Sequence, residues 1–199
     1  YMARLRDPGT RARIRREVAA GMGGVPPRFD TWVISDVKTE ANQGVVGRSV
    51  ADVAEDRGLE PAETALQLEE EERGSVMAVV HGRVERDVRA FLSHPMGMIG
   101  SDGNAVSPTG SQSHKQIHPR FYATYPRILG RYVRDQSLIS LEVAVRKMTG
   151  MPAERLGMTD RGLVEEGLVA DLVIFNPETI IDHSTFEKPH QLSEGVRHL

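Results

Sequence analysis

Met98-Ile99-Gly100-Ser101-Asp102-Gly103 is the stretch on which the reading of this chain turns. Two apolar residues run into Gly-Ser, and a carboxylate follows where the chain must turn. The pattern predicts a short buried strand that presents its last side chain at a mouth. Gly100 and Gly103 allow a sharp bend or a close approach of backbone to a ligand. In an α/β protein, an acid at the carboxyl end of a buried strand stands where binding and catalytic groups gather. The same six residues also read as a strand followed by a plain Asp-Gly turn, with Asp102 bonded to its own turn amides.

Working outward, the preceding segments alternate. Thr31-Trp32-Val33-Ile34 reads as a short buried strand by its β-branched and aromatic content. Ser49 to Arg57 reads as a helix with Val50, Val53 and Ala54 on one face, and a second helix starts at Pro61, has the run Glu69 to Glu72 as its solvated end and stops at Gly74. Val76-Met77-Ala78-Val79-Val80 is an apolar run of the kind found in a parallel strand covered on both faces. Val84, Val88, Phe91 and Leu92 give the next helix its stripe. The order is strand, helix, strand, helix, strand, which is the order of an α/β fold. At the amino terminus, Asp7-Pro8-Gly9-Thr10 predicts a turn that starts a helix. Ile14, Val18 and Ala19 form its thin apolar stripe, and the arginines between Arg4 and Arg16 read as its solvated face.

Downstream of Asp102, residues 104–117 form a long polar loop, a length that marks function or disorder in a compact domain. His118-Pro119-Arg120 ends it. Tyr125 to Val133 is helical by spacing. Ser140 caps a further helix that buries Leu141, Ala144, Val145 and Met148, with Gly150 and Pro152 ending it. Gly162 to Phe175 reads as two short strands joined by glycine turns. The tail from Asp182 is polar and is expected to be poorly ordered by itself.

Composition sets the outer bounds. The 199 residues suffice for one domain with a sizeable core, at 39% apolar and 27% charged content. A net charge of −3 makes no general case for nucleic-acid binding. No cysteine means no disulfide, no thiolate metal site and no cysteine nucleophile, in keeping with a cytoplasmic protein. No apolar run approaches the ~18 residues of a membrane span, and no signal-peptide core follows Tyr1. A start at Tyr1 without methionine suggests a chain that begins inside a longer reading frame.

Taken together, Ile99-Gly100-Ser101-Asp102-Gly103, His118-Pro119-Arg120 and Tyr125-Pro126-Arg127-Ile128-Leu129-Gly130 resemble the N-acyl-D-amino-acid deacylases of the amidohydrolase superfamily. Gly167-Leu168-Val169-Ala170-Asp171-Leu172-Val173 resembles that superfamily's carboxyl-terminal signature, and Thr185-Phe186-Glu187 resembles the deacylase tail. The resemblance covers about residues 75–190 well and the first part weakly.

The resemblance implies an α/β fold, the carboxyl-terminal part of a (β/α)8 TIM-type barrel plus strands of a small β domain. On that reading residues 1–157 are the partial barrel and 158–199 the β strands and tail. It implies zinc-dependent hydrolysis of the N-acyl amide of small N-acyl-D-amino acids, with no nucleic acid or membrane as partner. Asp102 matches the family's general acid/base, which takes a proton from water held on the metal and passes it to the leaving nitrogen. Arg120 matches the residue that grips the substrate carboxylate. The family's paired metal histidines are absent from this sequence, so the zinc ligands are expected upstream. His114 and His118, four apart in the loop, lack a third ligand. A partial barrel leaves apolar faces and strand edges that call for the missing half or for self-association. Two other readings stay open at this point: a hydantoinase- or dihydroorotase-like cyclic amidase, and a non-catalytic remnant or assembly module.

Overall fold

The computed structural model describes residues 2–198, and the chain divides into two compact units. One runs up to Gly82 and includes His114–Ile117; the other comprises Arg83–Ser113 and the chain from His118 onward.

In the first unit, α1 (Met2–Arg6) is followed by α2 (Pro8–Ala20). The Asp7 carboxylate accepts the Thr10 amide at 2.7 Å, and Pro8 occupies the first turn, where no N–H is missed. The expected apolar stripe of α2 buries nothing. Its main anchor is Arg11, which pairs with Glu63 at 2.7 Å and Glu70 at 2.8 Å on α4 (Pro61–Glu71). Between them α3 (Val50–Arg57) starts in a capping box, in which the Ser49 hydroxyl accepts the Asp52 amide and the Asp52 carboxylate accepts the Ser49 amide. Ile34, Val37, Val50, Val53 and Leu68 form the core.

The strands depart from expectation. β1 (Trp32–Asp36) and β2 (Met77–Val80) pair antiparallel, with Trp32 opposite Val80 and a register shift between Ile34 and Asp36. The run at 76–80 was expected in a parallel sheet covered on both faces, yet Met77 and Val80 are more than half exposed. Strand-forming composition is a local property; the direction and number of partners are not. In this chain β1 alone pairs with β2 among the described residues, giving a two-stranded ribbon.

One buried carboxylate organises the end of this unit. Glu72 is 2% exposed and accepts the amides of Lys38 at 2.6 Å and Thr39 at 2.9 Å, the Thr39 hydroxyl, and Asn42 Nδ2 at 2.7 Å. Burial alone would raise its pKa, but these donors outweigh it and hold the carboxyl down to about 2, from 4.5. Unfolded, the group binds its proton near 4.5; folded, near 2. The stability it confers is complete above pH 4.5 and is lost as the pH falls through 2, on the order of 3 kcal/mol in all. Glu72→Gln is therefore expected to lower the urea midpoint strongly at pH 7, with the gap to wild type shrinking by more than half at pH 3. A gap that is the same at both pH values would show that the carboxylate's charge is not what these donors stabilise.

The second unit holds α5 (Glu85–Ser93), α6 (Arg120–Arg127), α7 (Leu141–Met148), α8 (Gly150–Leu156), β3 (Ile174–Phe175) and β4 (Val196–His198). α6 continues as a π-helical segment through Ile128–Asp135, and the helix expected from Tyr125 already starts at Arg120. Ser140 caps α7 as expected, its hydroxyl accepting the Val143 amide. Gly150 and Pro152 do not end the helical region. The chain bends at Thr149 and restarts as α8, with Pro152 in its first turn, where a missing N–H does no harm. Of the two strands expected in 162–175, only the last two residues pair, antiparallel to β4. The glycine-rich stretch before them stays irregular.

The tail is not loose. Residues 182–193 pack along α6, and Ser184 is fully buried, its hydroxyl donating to the Pro189 carbonyl at 2.6 Å. Just before the tail, Ile180 passes close to the π-helical segment at Gly130, where a Cβ would come within 2.6 Å of the Ile180 carbonyl oxygen. Ile128, Leu129, Tyr132, Ala144 and Ile180 form the shared core.

Candidate active site

Asp102 does not end a strand. Residues 98–102 have no ladder partner among the described residues, and the segment is fastened instead to the end of α7, with the Ile99 amide donating to the Lys147 carbonyl at 3.1 Å. The Lys147 side chain, only 2% exposed as a residue, turns back to the same segment and donates to the carbonyls of His94 and, at 2.8 Å, Gly97. Asp102 itself has φ +49°, a left-handed backbone that Asp adopts more readily than most residues, and its side chain is 86% exposed. The next amide, of Gly103, donates to the Ser101 hydroxyl at 3.3 Å.

Arg120 reaches this carboxylate. Its Nη2 lies 2.9 Å from Asp102 Oδ2, bringing together two residues that stand on either side of the long loop. The pair is too exposed to contribute much stability. What matters is how Arg120 is held. It opens α6, its backbone N–H donates to His118 Nδ1 at 3.0 Å, and its carbonyl accepts the Thr124 hydroxyl at 3.0 Å. Its Nε is buried without a hydrogen-bond partner. The guanidinium thus has one edge on a carboxylate and retains donors for a second.

The loop histidines separate. His114 Nε2 lies 3.9 Å from Asp36 Oδ1, beside Lys115, whose Nζ is 2.8 Å from Asp36 Oδ2. His118 accepts the Arg120 amide and stacks edge-on against Phe186, with ring centroids 5.0 Å apart. His94 accepts the Met96 amide in the turn before Met98. Among the described residues no three His, Asp or Glu side chains come together as a metal site. The donor set that a catalytic zinc needs is therefore not assembled from this chain's described residues. A cavity of about 500 Å³ lined by Phe91, Leu92, Met96, Met98 and Lys147 includes neither Asp102 nor Arg120.

Sequence reasoning singled out neither Lys147 nor the tail contacts on α6. Lys147 had no local signature. For the tail there was one signal. Pro126 lies inside a helix and has no N–H for the Tyr122 carbonyl four residues back, so that carbonyl calls for another donor. Ser193 Oγ supplies it, at 3.0 Å.

Comparison with known proteins agrees with the motifs. The amidohydrolase family matches residues 1–199, and the chain belongs to that family. It is 38% identical over 150 residues to a D-aminoacylase and 36% identical over 155 residues to an N-acyl-D-glutamate deacylase, both from Alcaligenes xylosoxydans xylosoxydans. These alignments cover 75% and 77% of this chain but only 28% and 29% of those proteins, so the chain spans less than a third of their length. Among solved structures it resembles the N-acyl-D-glutamate deacylase of Bordetella bronchiseptica, crystallised with zinc and a phosphonate mimic of the tetrahedral intermediate. That match has TM-score 0.72 and 31% identity, and covers 85% of this chain and 33% of that one. A D-aminoacylase crystal structure matches with TM-score 0.71 and 34% identity, over 91% of this chain and 33% of that one. These likenesses support a TIM-barrel-type fold for the protein, although the sheets formed within the chain are small and antiparallel. No helix among the described residues is long and apolar enough to cross a membrane.

Proposed function

We propose that this chain is the carboxyl-terminal part of a zinc-dependent amidohydrolase that cleaves the N-acyl amide of N-acyl-D-amino acids. In this reading residues 1–157 complete a barrel and 158–199 belong to its small β domain. The observation that carries it is the 2.9 Å contact between Asp102 and Arg120, the two residues whose chemistry such a hydrolysis requires. Asp102 is the acid/base: its carboxylate accepts a proton from the attacking water and returns it to the amide nitrogen as the C–N bond breaks. Arg120 binds the free carboxylate of the amino-acid portion through two parallel hydrogen bonds and so sets which face of the amide is attacked. The exposure of Asp102 suits a group that must meet a substrate. The buried flank of Arg120 suits one whose direction must not wander.

Zinc does not fit the residues present, so its ligands are expected from the protein upstream of Tyr1, and the remainder of the barrel from the same source or from another copy. The test is direct. The 199-residue chain, with zinc added, is expected to release no acetate from N-acetyl-D-amino acids, because one carboxylate cannot replace the three or four ligands of a catalytic zinc. The full-length zinc-loaded protein is expected to release it from the D-enantiomer. Turnover by the short chain alone, or none by the full-length protein, would overturn the reading.

A further inference from the structure

The helix that opens with Arg120 is held by the tail at its far end, in its middle and at the turn that leads into it. At its far end Arg127 donates to Asp182 from Nε at 2.9 Å and from Nη2 at 2.6 Å, and to the Ser184 carbonyl at 3.1 Å. In its middle the Tyr122 hydroxyl shares a hydrogen bond of 3.2 Å with His190 Nδ1, the two rings meet edge to face at 5.9 Å, and Ser193 bonds the Tyr122 carbonyl. Burial pushes the Tyr122 phenol up from its ordinary pKa, so it keeps its proton. At its start Phe186 stands edge-on to His118, whose Nδ1 receives the Arg120 amide.

His118 and Tyr122 lie two residues to either side of Arg120. Residues two apart on a helix point in different directions, so a contact on Tyr122 braces the helix, and one on His118 the turn that leads into it, without obstructing the side chain of Arg120. The outcome is visible in the structure: the flanking residues face the tail, and Arg120 faces Asp102.

We propose that residues 182–193 form a strap that sets the direction of the Arg120 guanidinium, with Phe186 and His190 as positioning residues for carboxylate recognition; the inference rests on Arg120 being the carboxylate binder. Phe186 acts through the His118 ring and the Arg120 amide. His190 acts through Tyr122. Both routes end on the turn and helix that carry Arg120, so both bear on how well a substrate carboxylate is held.

The experiment uses the full-length zinc-loaded protein and measures kcat and KM for an N-acetyl-D-amino acid and for its carboxamide. Phe186→Leu is expected to raise KM for the acid roughly tenfold, with kcat within about twofold, because a small misdirection of a clamp weakens holding before it affects the reacting bond. The carboxamide, which has no carboxylate to clamp, is expected to be unaffected, and Phe186→Tyr is expected to restore the acid. A loss shared equally by acid and carboxamide, or a fall in kcat at unchanged KM, would overturn the strap. Arg120→Lys separates the two ideas. If it hurts the acid selectively while Phe186→Leu does not, the strap fails and the clamp stands; if it shows no selectivity, the clamp itself fails. Should Phe186→Leu not fold, His190→Ala is read by the same criteria.

Discussion

Asp102→Asn in the full-length protein is expected to cut kcat by at least about a hundredfold while zinc stays bound, the usual scale for a positioned acid/base. Asparagine keeps the shape of the carboxylate and can still accept a hydrogen bond from Arg120 Nη2, so the local geometry survives. It cannot take a proton from water or give one to a leaving nitrogen. Structural damage is a weak alternative explanation here, because the side chain is 86% exposed and its one ion pair is solvent-screened. The left-handed backbone at Asp102 favours the substitution as well, since Asn tolerates that region as readily as Asp. Steady-state kinetics and metal analysis on the same preparation decide the matter. Near-normal turnover would reduce Asp102 to a turn residue, and loss of zinc together with activity would move its role from proton transfer to metal retention.

Arg120→Lys is expected to lower kcat/KM for substrates with a free carboxylate by roughly ten- to a hundredfold. Corresponding amide or ester substrates, already poor, are expected to lose little more. Lysine keeps the charge but offers a point where arginine offers a fork. The structure already shows Arg120 engaging a carboxylate, that of Asp102, so its chemistry is not in question; what is tested is whether a substrate carboxylate meets the same donors. The native network would also change on the helix side, where the arginine Nε is enclosed. Equal losses on carboxylate and amide substrates would leave Arg120 a structural residue.

What could be read from the sequence divides by the distance over which the signal acts. The cap at Ser140 and the helix-starting turn at Asp7 were legible because in each a side chain bonds an amide three residues on. Helices over 50–57, 61–71 and 85–93 followed from local spacing. The strand character of 77–80 was legible for the same reason, but its antiparallel pairing with 32–36 was not, because a strand's own residues do not state its partner. The segment before Asp102 failed as a strand on the same ground. Its apolar residues are real, but a strand exists only against a neighbour, and here the neighbour is the end of α7. Asp102 and Arg120, the pair proposed for the chemistry, were singled out through motif likeness, and so was their closeness across the long loop; no local pattern of the residues states it. Glu72 looked like one more charge at a solvated helix end, and only the fold reveals four donors converging on it.

The proline in α6 carries a consequence for the order in which the chain comes together during synthesis. Because Pro126 has no N–H to offer the Tyr122 carbonyl, that acceptor receives the Ser193 hydroxyl, which leaves the ribosome well after the helix does. At elongation rates of about 5–20 residues per second, the nascent helix waits several seconds for its last donor, bonded meanwhile to water. Asp182, Phe186 and His190 arrive in the same late window. The arginine at the head of the helix therefore acquires its final bearing only after residues 182–193 have been made, and a chain cut short of Ser193 carries a helix that has been formed but not yet aimed.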